Sequence, residues 1–495
     1  MSERPSQDPD FYRHLRSEFS DGWRWLDRAV VLAYGAVAGL VVVAFTLLSY
    51  AAFKFYEALA DTAPAWFMLL WTPAVAAGIV WLTRRLYPTA AGSGIPQVIA
   101  ALDPSLDNRS RARLVSLRLS AAKVVLSAAG LLGGLSVGRE GPSVQVAAGV
   151  MLHSQRWLRH RQSLVNPYML LVAGGAAGIA AAFNAPLAGV VFAIEELSRK
   201  FEARYSGVII AAIVLAGLIG VSAFGNVAYF GSIHVAPLGW RHVVPSLLVA
   251  MVCGLAGGLF AKLMIVSLGG QSPDRLSALR RTRPVAFAAL LGLLIAVIGL
   301  ASGGLTAGSG TEAARHLLRG EHQVPGAEVF GLLKFITTWL TAWSGVPGGL
   351  FAPSLSIGAG IGYDLSLLTE DHINVALVAM GMAGFLAAVT QAPLTAFIIV
   401  MEMIDGRPVV LSLMAVAMVS AAISRMISRP LYETLADRMV ATAIEWQASE
   451  AARRARLAAL AAAASAPEPP APSPAAATAA PAPTLPQTPP SAPTP

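Results

Sequence analysis

Two short stretches, Gly138-Arg139-Glu140-Gly141-Pro142-Ser143 and Gly349-Leu350-Phe351-Ala352-Pro353-Ser354, have the composition of helix starts, and both follow apolar runs. Glycine permits close backbone approach, and proline is tolerated in the first turn because its missing N–H has no intrahelical partner to lose there. A helix that starts among apolar residues leaves backbone N–H groups unpaired and turns the positive end of its dipole toward the start, so an anion is the natural occupant. Glu140 places a carboxylate at that point. It competes for the position an anion would take, and protonation removes the competition.

Two further acids, Glu195 and Glu196, close the apolar run Leu187 to Ile194. An ionisable group inside a bilayer costs about 2.5–3.5 kcal/mol on insertion scales and by default suggests a relay. Glu195 has an acidic counterpart in Glu402 and reads as an interfacial cap where its helix emerges. Glu196 has Met403 in the matching place, so it breaks the pattern and is the better functional candidate. Lys123 and Lys334 also match one another. Snorkelling, with the ammonium reaching out to water, is the expected behaviour of such lysines.

These groups need a scaffold that holds them inside a membrane. Of the 495 residues, 55% are apolar and 13% charged, where a soluble domain carries about 25% charged residues, and the mean hydropathy is +0.61. Ala29 to Phe53, Trp66 to Leu82, Ser206 to Gly225, Val285 to Ala301 and Val409 to Ile423 are long, apolar and almost uncharged, close to the roughly 20 residues that cross a bilayer as a helix. The expected fold class is therefore an all-α polytopic membrane protein. The net charge of +8 does not point to nucleic acid, because Arg84-Arg85, Arg109 to Arg118, Arg156 to Arg161 and Arg275 to Arg283 sit between apolar runs, as in cytoplasmic loops. Cys253, the single cysteine, lies in an apolar run and reads as a packing residue.

The chain also repeats. Gly92-Ser93-Gly94 recurs as Gly308-Ser309-Gly310, Lys123 as Lys334, Gly138 as Gly349, Pro142-Ser143 as Pro353-Ser354, and Ala185-Pro186-Leu187 as Ala392-Pro393-Leu394. The order is kept and the offset drifts only from 216 to 207 residues, which two homologous halves explain and chance does not. Expected boundaries are a cytoplasmic N-terminal segment over 1–28, membrane repeats over 29–228 and 229–440, a cytoplasmic helix over 441–466, and a disordered tail over 467–495. That tail holds twelve of the 32 prolines and cannot bury a core. No signal-peptide pattern is present at the start, so both termini are expected in the cytosol. Internal duplication with glycine- and proline-interrupted helices is the pattern of transporters that build a midplane site between their halves.

Gly92-Ser93-Gly94-Ile95-Pro96, Gly138-Arg139-Glu140-Gly141-Pro142, Gly349-Leu350-Phe351-Ala352-Pro353 and Pro430-Leu431-Tyr432, in this order across the membrane region, resemble the CLC family of chloride channels and proton/chloride exchangers. The resemblance implies a CLC-type fold of two inverted-topology repeats with many tilted and partial helices, and a homodimer with one pathway per subunit in a cell (inner) membrane. It implies a secondary active antiporter, not an enzyme, with no cofactor and with chloride and protons as the transported ions. By the same resemblance Ser93 and Tyr432 donate hydroxyls to a central halide, joined by the backbone N–H groups of Leu350 and Phe351. The backbone of Arg139, Glu140 and Gly141 lines an outer position. Glu140 matches the gating glutamate, and Glu196 the inner glutamate that takes protons from the cytosol. Some relatives carry an acid just after the Gly-Ser-Gly-Ile-Pro stretch, where this chain has Gln97, Val98 and Ile99, so an acid partner for Lys123 is not expected from that segment.

The alternative on the same scaffold is a passive voltage- or pH-gated chloride channel, disfavoured by the acid at Glu196. Fluoride export is disfavoured by the Ser93 motif, and a nitrate preference by the serine where nitrate-selective relatives carry proline. Gly134-Leu135-Ser136-Val137-Gly138 fits a hydrolase nucleophile pattern, but no histidine lies in a long apolar run to serve as its base. Histidine-based zinc, phosphate-loop and dinucleotide motifs do not occur.

Overall fold

The computed structural model describes residues 22–158, 165–198, 206–225, 229–230, 240–270, 274–320, 326–368, 375–404 and 407–464. The tail expected over 467–495 and most of the N-terminal segment lie outside the described residues. In chain order the helices are α1 Gly22–Thr62, α2 Ala65–Leu86, α3 Ile95–Ala101, α4 Asn108–Leu114, α5 Leu117–Leu132, α6 Glu140–His153, α7 Pro167–Ala182, α8 Pro186–Phe192, α9 Ser206–Phe224, α10 Val243–Gly269, α11 Arg275–Thr282, α12 Pro284–Ala301, α13 Thr311–Leu318, α14 Ala327–Ser344, α15 Phe351–Ser366, α16 Val375–Thr390, α17 Pro393–Ile404, α18 Val410–Ile427 and α19 Leu431–Ala464. Among the described residues there is no strand beyond one isolated bridge. Residues up to Ile444 form one compact unit; the second unit, Glu445–Pro495, is described as far as 464 and is helical there.

The duplication read in the sequence has its counterpart in the helices. α5, α6, α7 and α9 recur in order as α14, α15, α16 and α18, and α8 with its following π-turn Ala193–Leu197 recurs as α17. Seven helical segments are long and apolar enough to cross a membrane. They include the five runs singled out above, together with Asn108–Leu132 and Trp240–Gly269. The protein is a multi-pass membrane protein.

α6 and α15 are among the shorter helices and are packed inside. Every residue from Glu140 to Met151 of α6 and from Phe351 to Gly360 of α15 is buried. Small residues allow this closeness, as they do between membrane helices generally. A Cβ on Gly174 or Gly178 of α7 would lie within 2.7 Å of the α6 backbone, and one on Gly358 or Gly362 would collide with the backbone of α16. α4, α7 and α11 are capped by side chains of Asp107, Asn166 and Asp274, each accepting from a backbone N–H at 2.8–2.9 Å. The bond from Ser277 holds the Asp274 carboxyl below the ordinary carboxylate range.

Candidate functional site

The two helix starts meet. Gly138 N–H donates to Gly349 C=O at 2.9 Å, and Gly349 N–H donates to Gly138 C=O at 2.7 Å, an antiparallel pair. The joint puts the first turns of α6 and α15, two residues further on, beside each other in the protein interior. They are therefore not loop-to-helix joints at a membrane surface. Antiparallel entry of two homologous segments is what inverted repeats require. Both positive helix ends converge on one place, where about half a unit charge from each favours an anion.

Glu140 fills that place. The side chain is 1% exposed, and the backbone N–H groups of Arg139, Glu140 itself and Ala352 face its carboxylate. Oε2 completes no well-formed hydrogen bond. It sits so close over Gly138 that a Cβ there would strike it. Arg139 Nε lies 3.9 Å from Oε1.

A second polar cluster lies against the same joint. Ser93 stands between Gly92 and Gly94, both in the left-handed region at φ +85° and +111°. Its hydroxyl packs on Gly141, where a Cβ would overlap it. The Tyr432 hydroxyl faces Ser93 Oγ, and the Tyr432 ring stacks on Phe351 at 6.0 Å between centroids. Both hydroxyls, and that of Ser354 in the first turn of α15, are buried without a hydrogen bond that meets normal geometry. Ser93 is thus not a turn serine serving its own backbone, and Tyr432, 1% exposed, is not an interfacial anchor. Buried polar atoms left open require an explanation, and donors that converge beside two helix N-termini are suited to a dehydrated anion. Leu350 and Phe351 form the N-cap and first residue of α15 and are buried at the same joint.

Glu196 lies in the π-turn after α8, half-buried. The carboxylates of Glu195 and Glu433 bear on it, and it in turn bears on Tyr432. The neighbouring Glu195 turns the other way. Leu394 and Thr395 donate their N–H groups to the two Glu195 oxygens at 3.0 and 2.6 Å, and Leu187 and Ala188 donate to Glu402 at 3.2 and 2.7 Å. Each acid caps the helix start of the opposite half, a reciprocal clasp that the sequence reading of an interfacial cap on its own helix did not foresee. Glu195→Ala and Glu402→Ala are each expected to lower stability by about 1–2 kcal/mol, read as thermal unfolding in detergent, with ion coupling unchanged. Loss of coupling in Glu195→Ala at wild-type stability would overturn the clasp assignment.

Lys123 and Lys334 do not snorkel. Both are fully buried. Lys123 Nζ donates to Ala90 and Gly92 carbonyls at 2.8 and 2.5 Å, and Lys334 Nζ to Thr306 and Gly308 at 2.8 and 2.7 Å. The ammonium is drawn inward because each Gly-Ser-Gly loop exposes carbonyls that no helix satisfies. Where an acid was absent from the sequence, Gln97 accepts from Gly94 N–H at 3.0 Å and donates to Ala91 C=O at 2.6 Å, bracing the same loop. The Ser136 hydroxyl pairs with that of Thr338 at 2.8 Å, and the Ser136 N–H donates to the Thr341 hydroxyl at 3.2 Å, so its partners are other hydroxyls and the hydrolase pattern is structural. Cys253 is buried as a packing residue.

The family model described as voltage gated chloride channel matches residues 74–425, most of the chain. The chain belongs to this voltage-gated chloride channel family. Membership places it among transport proteins rather than enzymes. It is 30% identical over 441 residues to an H(+)/Cl(-) exchange transporter ClcA of Klebsiella pneumoniae, covering 84% of this chain and 89% of that one. It is 28% identical over 385 residues to a protein of the same name from Vibrio parahaemolyticus, covering 76% and 80%. Among solved structures, a slow cyanobacterial Cl-/H+ antiporter superposes with a TM-score of 0.70 at 23% identity, over 83% of this chain and 97% of that one. A CLC-type fluoride/proton antiporter superposes at 0.66 and 21%, over 82% and 96%. These likenesses identify the fold as the CLC fold of two inverted-topology repeats.

Proposed function

We propose that the protein is a secondary active antiporter exchanging chloride for protons. The carrying observation is the paired helix starts, with the Glu140 carboxylate lying where an anion is favoured and two open hydroxyls, Ser93 and Tyr432, beside it. Chloride binds centrally to Ser93, Tyr432 and the N–H groups of Leu350 and Phe351, and then at the outer position lined by the backbone of Arg139, Glu140 and Gly141. Ionised Glu140 occupies the outer position; protonated, it withdraws and admits the anion. Hydroxyl and amide donors hold a halide without a full positive charge, so it can leave again.

Glu196 accepts protons from the cytosolic side and passes them toward Glu140. Its half-buried place, where it bears on Tyr432, supports that role, and the relatives named as exchangers agree with it. A cavity of about 1040 Å³ that includes Glu140 in its wall serves as the outer mouth. The membrane repeats cover 29–228 and 229–440, the termini face the cytosol of a bacterial-type inner membrane, and a second copy covers the exposed Leu187, Ile194, Leu411 and Met418.

Protein reconstituted in liposomes with a chloride gradient is expected to drive protons uphill. Glu196→Gln is expected to keep chloride flux while proton movement falls to that of empty liposomes. Chloride flux with no proton movement in the wild type would establish a passive channel instead.

A further inference from the structure

Tyr229 stands where the second repeat begins, and its side chain lines the outer mouth. Arg139 Nη2 donates to the Tyr229 hydroxyl at 3.2 Å, and the guanidinium carbon stands 5.8 Å from the centre of the same ring. A ring and a hydroxyl together hold a planar guanidinium from two directions. Tyr229 is itself fixed: Arg315 Nη2 donates to its carbonyl at 3.3 Å, Phe183 packs against its ring at 6.2 Å, and the next residue, Phe230, donates its N–H to Met403 C=O at 3.0 Å. Arg315 is held in turn by both oxygens of Glu312 at 2.9 Å.

The result is a guanidinium with one edge committed and the other open. Arg139 Nε is buried and has no hydrogen-bond partner, and it points at Glu140 Oε1 from 3.9 Å. We infer that Tyr229 is a positioning residue for the gate. It aims Arg139 at the position shared by the Glu140 carboxylate and the outer anion, and so sets both the pH at which the path opens and the ease with which an anion enters. This rests on the reading of Glu140 as the gate.

The sign follows from the charges. A guanidinium held at this distance favours ionised Glu140, which closes the path. When the hydroxyl is removed, Arg139 loses its anchor, the ionised carboxylate is less favoured, and the path opens at higher pH. The other groups bearing on Glu140 are Tyr432 from α19 and Tyr229 itself. Elsewhere on the cavity wall, Lys54 pairs with Glu57 and Arg315 with Glu312, and Asp61, Arg319 and His316 complete the charged set. Of these His316 is the imidazole on the cavity wall, so His316→Gln serves as the control.

The test is the pH profile of chloride flux in liposomes for wild type, Tyr229→Phe, Glu140→Gln and the double variant. Tyr229→Phe keeps the ring and its packing. Its acid-activated midpoint is expected to move alkaline by about half a pH unit or more, with a weaker apparent chloride affinity from the cavity side. The same substitution on the Glu140→Gln background is expected to leave a flat profile. A Tyr229→Phe midpoint equal to wild type, with Glu140→Gln flat, would overturn the Tyr229 assignment alone. A Glu140→Gln variant that keeps the wild-type profile would instead overturn the gate reading. A shift in His316→Gln as large as that in Tyr229→Phe would move the pH control to the histidine.

Discussion

Glu140→Ala is expected to conduct chloride at all pH values and to move no protons against a gradient. The carboxylate is the titratable group at the point where α6 and α15 start together, and it competes for the N–H groups that would otherwise face chloride. Alanine removes the competitor and the proton carrier in one step. On that proposal chloride can enter the vacated place at every pH, and a ligand that binds the folded state stabilises it by mass action. The variant's unfolding temperature should therefore rise with chloride concentration more steeply than that of the wild type, by the equivalent of about 2.7 kcal/mol at a hundredfold excess over the dissociation constant. Flux and unfolding are independent measurements of the same vacancy. Persisting proton transport in Glu140→Ala, or an unfolding temperature indifferent to chloride, would show that the carboxylate and the anion do not share a place.

That place was legible in the sequence because it depends on local chemistry. Glycine, an acid and proline at the head of an apolar run describe a helix start whatever surrounds it, and the ordered recurrence of such blocks gives two halves. Contacts between the halves were not legible. Nothing in Ala392-Pro393-Leu394 says that the Leu394 N–H is satisfied by Glu195, since that partner lies 199 residues away. The same holds for Lys123, whose carbonyl partners at Ala90 and Gly92 are created by loop geometry rather than by residue type. Length misleads as well. α7 and α16 are 16 residues each and fall short of a span, yet they are among the most deeply buried helices. Their alanines and glycines serve backbone-to-backbone packing, which hydropathy does not register. Tyr229 carried no local signal at all. It is one of two adjacent aromatic residues, Tyr229-Phe230, and only the position of Arg139 gives it meaning.

The buried lysines allow a test with its own control. Lys123→Met and Lys334→Met each delete two hydrogen bonds from an ammonium to buried loop carbonyls. An unsatisfied buried carbonyl costs about 1–3 kcal/mol, partly offset because methionine needs no desolvation. Both variants should lose stability by roughly 2 kcal/mol. Their functional effects should differ. The Lys123 loop carries Ser93, whose left-handed neighbours Gly92 and Gly94 leave it little other support than Gln97 and the Gly348 N–H donated to Gly92 C=O at 3.3 Å. The Lys334 loop carries Ser309, which lines the outer cavity with Thr311. Misplacing a binding group by about 1 Å can cost on the order of a hundredfold in rate. Lys123→Met is therefore expected to lower chloride flux about ten- to a hundredfold and to blur discrimination among halides, while Lys334→Met keeps the wild-type halide order. Equal loss of discrimination in both would mean that the lysines act only through global stability. A wild-type halide order in Lys123→Met would remove Ser93 from selection. Because the two substitutions are matched in burial and in bonds lost, the difference between them isolates the loop that holds Ser93.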